Sequence, residues 1–371
     1  MEFKKYENWS LGIHQSMAAK RIPTDGSIEV SRRCPLSCAH CYNNLALRDQ
    51  KVLCRELTYN EHCRILDEIT EAGCLWLLYT GGEIFVRKDF LDIYTYAKTK
   101  GLLITLFTNG TLITPEIADH LAQWPPFSIE ITIYGRTREI HEKVTRLRGS
   151  YDQCWNGIHL LRERGLSLKL KTMAITLNKH EIWEMKHLVE DDLGLEFRFD
   201  ATINPRIDCT QTPLALRLTP REVIELDLKD PQRMREWKLL LDRFKGIDNS
   251  PEYADELYQC GGGINSFSID PYGMLNICSL SCADSYDLRQ GTFKEGWENF
   301  IFGLRHKKIS VQTKCVGCAL KSLCGMCPAN GELENMDSEG PVDFLCEVAH
   351  LRARALGFPI PPHGECEYCD G

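Results

Sequence analysis

Six times between residues 27 and 203 a short apolar or alternating run is followed by a longer amphipathic one. The short runs are SIEVSRR, CLWLLYT, LLITLFT, SIEITIYG, LKLKTMAIT and LEFRFDATI, and their β-branched and aromatic content predicts strands. The longer runs carry helix start and stop signals. Thr58-Tyr59-Asn60-Glu61 and Ser150-Tyr151-Asp152-Gln153 read as capping boxes. Thr114-Pro115 and Thr219-Pro220 put a cap before a first-turn proline, and Gly101 and Gly165 stand where helices end. The pattern predicts a (β/α)6 unit of the α/β class.

One helix between successive strands implies right-handed crossovers and a parallel sheet, either doubly wound or curved into part of a barrel. Both architectures bind ligands at the carboxyl ends of their strands. The polar and glycine-rich segments fall there: cysteines after the first strand, TGGE after the second, TNGT after the third, IYG after the fourth and DATINP after the sixth. A charged stretch around REVIELDLKDPQRMREWKLLLDRFKG predicts further helix before turn residues accumulate in NSPEYADELYQCGGG. The expected organisation is an N-terminal segment over 1–26, a barrel over 27–225, a helical linker over 226–258, a cysteine-rich domain over 259–350 and a tail over 351–371.

Charge and composition narrow the partners. The net charge of −8 gives no general basic field for a nucleic-acid backbone, and no run approaches the roughly 18 to 20 apolar residues of a membrane span. The N-terminus lacks the apolar core of a signal peptide, so a cytoplasmic protein is expected. Eighteen cysteines in that setting argue for metal or cluster ligation rather than disulfides. Three lie at Cys34, Cys38 and Cys41, and ten crowd between Cys260 and Cys369. The singles Cys54, Cys63, Cys74 and Cys154 read as small core residues.

Cys34-x3-Cys38-x2-Cys41 has no fourth cysteine close by. A four-iron cubane needs four ligands, so three thiolates leave one iron open to a small molecule. A zinc knuckle completed by His40 is the alternative. In this position after a first strand, the motif resembles that of the radical S-adenosylmethionine (SAM) superfamily, in which an aromatic precedes the third cysteine. Here His40 stands at that place and Tyr42 follows. The resemblance implies a [4Fe–4S] cluster on Cys34, Cys38 and Cys41, with SAM chelating the open iron. Thr80-Gly81-Gly82-Glu83 is similar to the superfamily's SAM-amino motif, with Ile84 in place of the usual proline. It implies that Gly81 and Gly82 let the backbone approach SAM and that Glu83 accepts from the ammonium group. Asn109 and Thr132 are expected at the methionine and ribose of SAM.

Cys260-x12-Gly273-x4-Cys278, then Cys315-x2-Cys318-x5-Cys324-x2-Cys327, then Cys346, resembles the SPASM extension of that superfamily, with two residues rather than three before Cys327. By resemblance Cys315, Cys318, Cys324 and Cys346 hold a distal auxiliary [4Fe–4S] cluster. Cys260, Cys278 and Cys327 hold a proximal one, with Cys282 the nearest candidate for a fourth ligand. Two zinc ribbons are the competing reading of the same cysteines. Cys366-x2-Cys369 receives no role.

The resemblance implies an enzyme that cleaves SAM reductively, with an electron donor such as flavodoxin or ferredoxin, and oxidatively modifies a peptide or protein. The sixth-strand segment looks like that of the maturases of ribosomally made peptides, with Asp200, Asn204 and Arg206 at the substrate mouth and Asp200 and Arg206 as catalytic candidates. Only about 26 residues precede the first strand, so a leader peptide would be read by the SPASM surface or by a separate leader-binding protein. Three alternatives remain open. One is a sulfatase-maturating type, for which Ser279 replaces an expected Asp. The others are an enzyme for a tetrapyrrole or other small precursor, and a non-enzymatic iron–sulfur or zinc scaffold.

Overall fold

The computed structural model describes residues 6–244, 255–281, 283–315 and 318–369. Its contacts divide the chain into two units, Met1–Asp200 with Gly261–Arg305, and Ala201–Cys260 with His306–Gly371.

All six predicted strands of the first unit form: β1 (Asp25–Ser31), β2 (Trp76–Gly81), β3 (Leu103–Thr108), β4 (Ser128–Thr132), β5 (Leu168–Met173) and β6 (Glu196–Asp200). They pair in parallel in chain order. A doubly wound sheet reverses its strand order at a switch point. This one does not, so the architecture is a partial (β/α)6 barrel. Three strands follow that periodicity did not predict: β7 (Ser266–Ile269), β8 (Met274–Asn276) and β9 (Tyr286–Asp287). β7 adds in parallel beside β1, and β8 and β9 continue antiparallel. Residues 261–305 therefore pack with the barrel, whereas the cysteine spacing grouped them with 306–350. Runs of two to four residues are too short to carry a period.

Alternation sorts the two faces of the sheet. Tyr79 of β2 packs its ring edge-on to Phe90 of the helix Phe90–Thr99 at 5.4 Å, and Phe199 of β6 meets Trp183 of the helix Ile182–His187 at 5.9 Å. This is the helix-covered face, and burying a side chain such as Phe90 there contributes about 1.5–3 kcal/mol. Residues one position away, Thr80, Arg198 and Asp200 among them, line the concave face.

The helix signals hold with one exception. Thr58 and Thr219 form capping boxes with Glu61 and Glu222, and Thr114 caps a proline-started helix. At Ser150 there is no capping box: the cap is Gly149, at φ 85°, and the buried Ser150 hydroxyl pairs with Thr145 Oγ1 at 2.7 Å. Of the single cysteines, Cys74 and Cys154 are core residues, but Cys54 is exposed beyond the end of the helix Gln50–Leu53, and Cys63 is half-buried.

In the second unit, helices Pro220–Lys229, Pro231–Phe244 and Asp343–Ala355 surround a core of Leu320, Leu323, Ala349 and Ala353, with Trp237, Cys318 and Cys324 against it. Asp227, 2% exposed, accepts from Arg352 at 3.0 and 2.7 Å and from Arg233 at 2.9 Å. The Arg352 guanidinium lies 3.8 Å from the Trp237 ring centroid. A buried carboxylate with two guanidinium partners is fully paired, which is the condition for tolerating it in a core.

Candidate functional site

The cysteine loop is held from both ends. On its strand side Arg33–Cys34 pairs with Leu45–Ala46, and Arg33 binds Glu56 in a bidentate contact at 2.8 and 2.9 Å. On its far side Ser37 N and Ala39 N donate to Thr145 O and Val144 O at the end of the helix Arg138–Thr145. Buried Glu29 ties the segment after the motif, accepting from Asn43 Nδ2 at 2.8 Å, Arg32 Nε at 3.0 Å and Tyr42 Oη at 3.4 Å. Tyr42 is thus a brace on Glu29.

The three thiols converge. Burial, then Cys41 and Cys34, push Cys38 well up, and burial followed by Glu83 raises Cys34 to about 12. Such thiols ionise only beside a cation, and the donors around them suit thiolates: Leu36 N at 3.4 Å and Asn109 Nδ2 at 3.5 Å face Cys34 Sγ, and the Tyr134 hydroxyl bonds Cys38. This donor set fits an iron–sulfur cluster. His40 lies 5.0 Å from the Tyr134 ring, with Nδ1 buried and unpartnered, and burial lowers its pKa to about 4. The ring is neutral at physiological pH.

The glycine pair has a different physical reason from the one its motif suggests. A Cβ on Gly81 would stand 2.2 Å from Ser31 O, and one on Gly82 2.5 Å from Arg32 O and Arg33 O. The glycines let the end of β2 press against the end of β1, where Gly82 N donates to Ser31 O at 2.7 Å. Glu83 is 1% exposed and accepts from Thr108 Oγ1 at 2.7 Å, Asn109 N at 2.8 Å and Phe85 N at 3.3 Å. A carboxylate has about four acceptor positions, and protein donors take three of these. Glu83 therefore braces β2 to β3. Its partner Asn109 accepts from Thr111 N at 2.9 Å and Thr111 Oγ1 at 2.6 Å and turns its amide donor to Cys34. Thr132 ends β4 on the concave face.

Sequence reasoning missed a charged group inside the barrel. Lys171 of β5 pairs with Glu130 of β4 at 3.0 Å and lies over the Phe107 ring of β3, and burial lowers its pKa to about 8. Nearby on the same face, Lys169 and Arg198 both pair with Glu196. The alternating lysines of LKLKTM were the available signal.

Asp200 ends β6 in the first unit, whereas Asn204 and Arg206 belong to the second. There Arg206 N donates to Thr210 O at 3.0 Å in a turn, and its guanidinium lies 3.9 Å from Asp208.

Also in the second unit, Cys315, Cys318, Cys324 and Cys346 form one neighbourhood. Burial raises the last three, and neighbouring thiols add to it: Cys315, then Cys366 and Cys369, act on Cys318, Cys315 and Cys318 on Cys324, and Cys366, then Cys324, on Cys346. Cys327 is raised by burial and then by Cys260. Cys278 belongs to the first unit, in an isolated bridge with Ser281, and Cys282 lies outside the described residues.

Residues 28–189 match the profile of the radical SAM superfamily. The Fe-coproporphyrin III synthase of Methanosarcina barkeri (strain Fusaro / DSM 804) is 31% identical over 364 residues, covering 89% of this chain and 88% of that protein. The mycofactocin maturase MftC of Mycobacterium tuberculosis (strain ATCC 25618 / H37Rv) is 26% identical over 352 residues, covering 90% of this chain and 87% of that one. Among solved structures, Streptococcus suis SuiB bound to its precursor peptide SuiA superposes with a TM-score of 0.66 at 16% identity, over 93% of this chain and 82% of that one. The chain belongs to the radical SAM superfamily, with relatives among the SPASM-type maturases. As a member it is an enzyme that uses a [4Fe–4S] cluster and SAM.

Proposed function

We propose that this enzyme oxidatively modifies a peptide or protein chain, as a maturase of a ribosomally made precursor. The observation that carries the reading is the mixed charge of the concave face. Glu130, Glu196 and Asp200 stand there with Lys169, Lys171 and Arg198; Lys171–Glu130 and Lys169–Glu196 pair between neighbouring strands, and Arg198 pairs with Glu196 along β6. Such a lining offers donors and acceptors to a polypeptide backbone. It lacks the excess of cations that a substrate with several carboxylates calls for.

When bound, the cluster on Cys34, Cys38 and Cys41 together with SAM supplies a 5′-deoxyadenosyl radical that abstracts hydrogen from a substrate carbon. The chain's own residues position and shield. Asn109 and Tyr134 donate to the thiolates, which favours their charged form. Backbone carbonyls at Gly81 and Gly82 accept from the SAM ammonium, and Glu83 holds their loop against Thr108 and Asn109. Thr132 serves the ribose, and the neutral His40 ring packs as an apolar wall. Asp200, at the end of β6 on the concave face, orients the substrate. Cys315, Cys318, Cys324 and Cys346 hold the distal auxiliary cluster. Cys260 and Cys327, the first acting on the second, belong to the proximal one. A cytoplasmic site with a flavodoxin or ferredoxin donor suits thiolates that must stay reduced.

A second reading is favoured by the 31% identity to an Fe-coproporphyrin III synthase: conversion of a tetrapyrrole precursor. One experiment separates the two. Anaerobically reconstituted enzyme with reductant and SAM is offered short peptides encoded beside its gene and, separately, iron tetrapyrroles, both Fe-coproporphyrin III and the more heavily carboxylated precursors from which it is made. The peptide reading expects a mass loss of about two hydrogens or a side-chain fragment on a peptide, formed together with 5′-deoxyadenosine. Turnover of the tetrapyrroles with every peptide unchanged would reverse the order of the two readings.

A further inference from the structure

We infer that His350, His363, Cys366 and Cys369 form a mononuclear zinc site, sharing no ligand with the neighbouring iron–sulfur cysteines, that fastens residues 363–369 to the helix Asp343–Ala355. The ligand atoms of these four residues all lie within 4.8 Å of one another. Zinc bonds of about 2.3 Å to sulfur and about 2.0 Å to nitrogen at tetrahedral angles place neighbouring S and N ligands about 3.5 Å apart. In the structure Cys369 Sγ lies 3.7 Å from His350 Nε2 and 3.4 Å from His363 Nδ1, and Cys366 Sγ lies 3.7 Å from His350 Nε2.

The histidine orientation supports the same conclusion. His350 Nδ1 donates to the Cys346 carbonyl at 2.8 Å, which leaves the Nε2 lone pair facing the two sulfurs. A backbone carbonyl fixing the tautomer in this way is a regular accompaniment of metal-bound histidine. His363 offers either nitrogen: Nδ1 lies 3.4 Å from Cys369 Sγ, and in the tautomer whose Nδ1–H instead donates to Pro361 O at 3.0 Å, Nε2 is the ligand at 3.9 Å from that sulfur. His350, His363 and Cys366 are buried, so the set excludes water as a structural zinc centre does.

A cubane is a poor fit to this spacing, because each of its thiolates binds a different iron and the sulfurs stand further apart. Cys346 Sγ also touches Cys366 Sγ, at 3.7 Å, so the zinc site adjoins the residue assigned to the distal cluster. Contacts beyond the four ligands bind the same segment down. Lys314 Nζ reaches Asp343 at 2.7 Å and Glu367 at 2.9 Å, and Arg354 Nη2 donates to Tyr368 O at 2.5 Å. The centre thereby immobilises the helix that carries Cys346.

The test is metal analysis of the full chain, purified anaerobically with its clusters, in the wild type and in Cys369→Ser, His363→Ala and Cys346→Ser. About one zinc per chain beyond the iron is expected. It should fall at least fivefold in Cys369→Ser and His363→Ala with iron unchanged, and persist in Cys346→Ser. Adding Co(II) to metal-depleted wild type should give the visible bands and sulfur charge transfer of a tetrahedral S2N2 site, a readout that needs no variant to fold. Wild type that holds no zinc and gives no tetrahedral cobalt spectrum overturns the site. So does a Cys369→Ser protein that keeps its zinc, or one that loses about four irons per chain, since Cys369 would then be a cluster ligand.

Discussion

If Glu83 braces two strands, removing one of its partners should loosen the site without any group touching SAM being altered. Thr108→Val deletes the hydroxyl that donates to Glu83 Oε1 at 2.7 Å, and Glu83→Gln removes the charge that also receives Asn109 N at 2.8 Å. A buried hydrogen bond to a charged acceptor contributes about 1.5–3 kcal/mol. Thr108 is 6% exposed and Glu83 1%, so solvent offers little compensation. At about 2 kcal/mol, the Asn109 amide should exchange roughly 30-fold faster in either variant. The double variant should add much less than a second full loss, with a coupling of about 1–2 kcal/mol. Hydrogen exchange read on the segment 105–112 measures this, alongside SAM binding by calorimetry. Affinity should fall in both single variants. If Thr108→Val changed neither exchange nor affinity while Glu83→Gln abolished binding, the carboxylate would be a direct SAM ligand and the brace argument would fail.

Two further outcomes follow from the buried groups. Burial holds His62 at a pKa of about 3, and His40 and His141 at about 4, below an unfolded value near 6.5. For such groups stability is fully present above pH 6.5 and falls as the pH drops toward 4, by up to about 1.4 kcal/mol per pH unit for each histidine. A His62→Phe variant should show a shallower acid slope in urea midpoints across that window, and an unchanged slope would mean that His62 is not buried neutral. In the second unit, Arg352→Met leaves Asp227 short of a partner and should lower stability by about 3–5 kcal/mol. Asp227→Asn combined with Arg352→Met should recover part of this loss in a thermal melt, and equal losses in the single and double variants would count against a charge-pair origin.

Most of the barrel was legible because each strand and helix carried its own period and caps. β7 to β9 were not, since strands of two to four residues leave no period, and the place of β7 beside β1 is decided by pairing 241 residues away in sequence, Asp25 with Ser266. Ser150 shows the limit of local motifs: the S-x-x-Q signal was present, but the adjacent Gly149 took the cap and the hydroxyl turned inward to Thr145. At the site, the spacing of Cys34, Cys38 and Cys41 in one loop after β1 made their mutual approach legible. What Gly81, Gly82 and Glu83 do was not, because their partners, the backbone of residues 31–33 and Thr108, lie on neighbouring strands. Lys171 escaped for the same reason. An isolated lysine in a strand looks solvated until Glu130 and Phe107 are found beside it.

The most direct measurement is 5′-deoxyadenosine production by anaerobically reconstituted protein in which Cys34, Cys38 and Cys41 are all replaced by alanine. The account predicts no product, with iron falling from about twelve to about eight per chain as one four-iron centre is lost. A triple variant that went on forming 5′-deoxyadenosine, or that lost no iron, would contradict it.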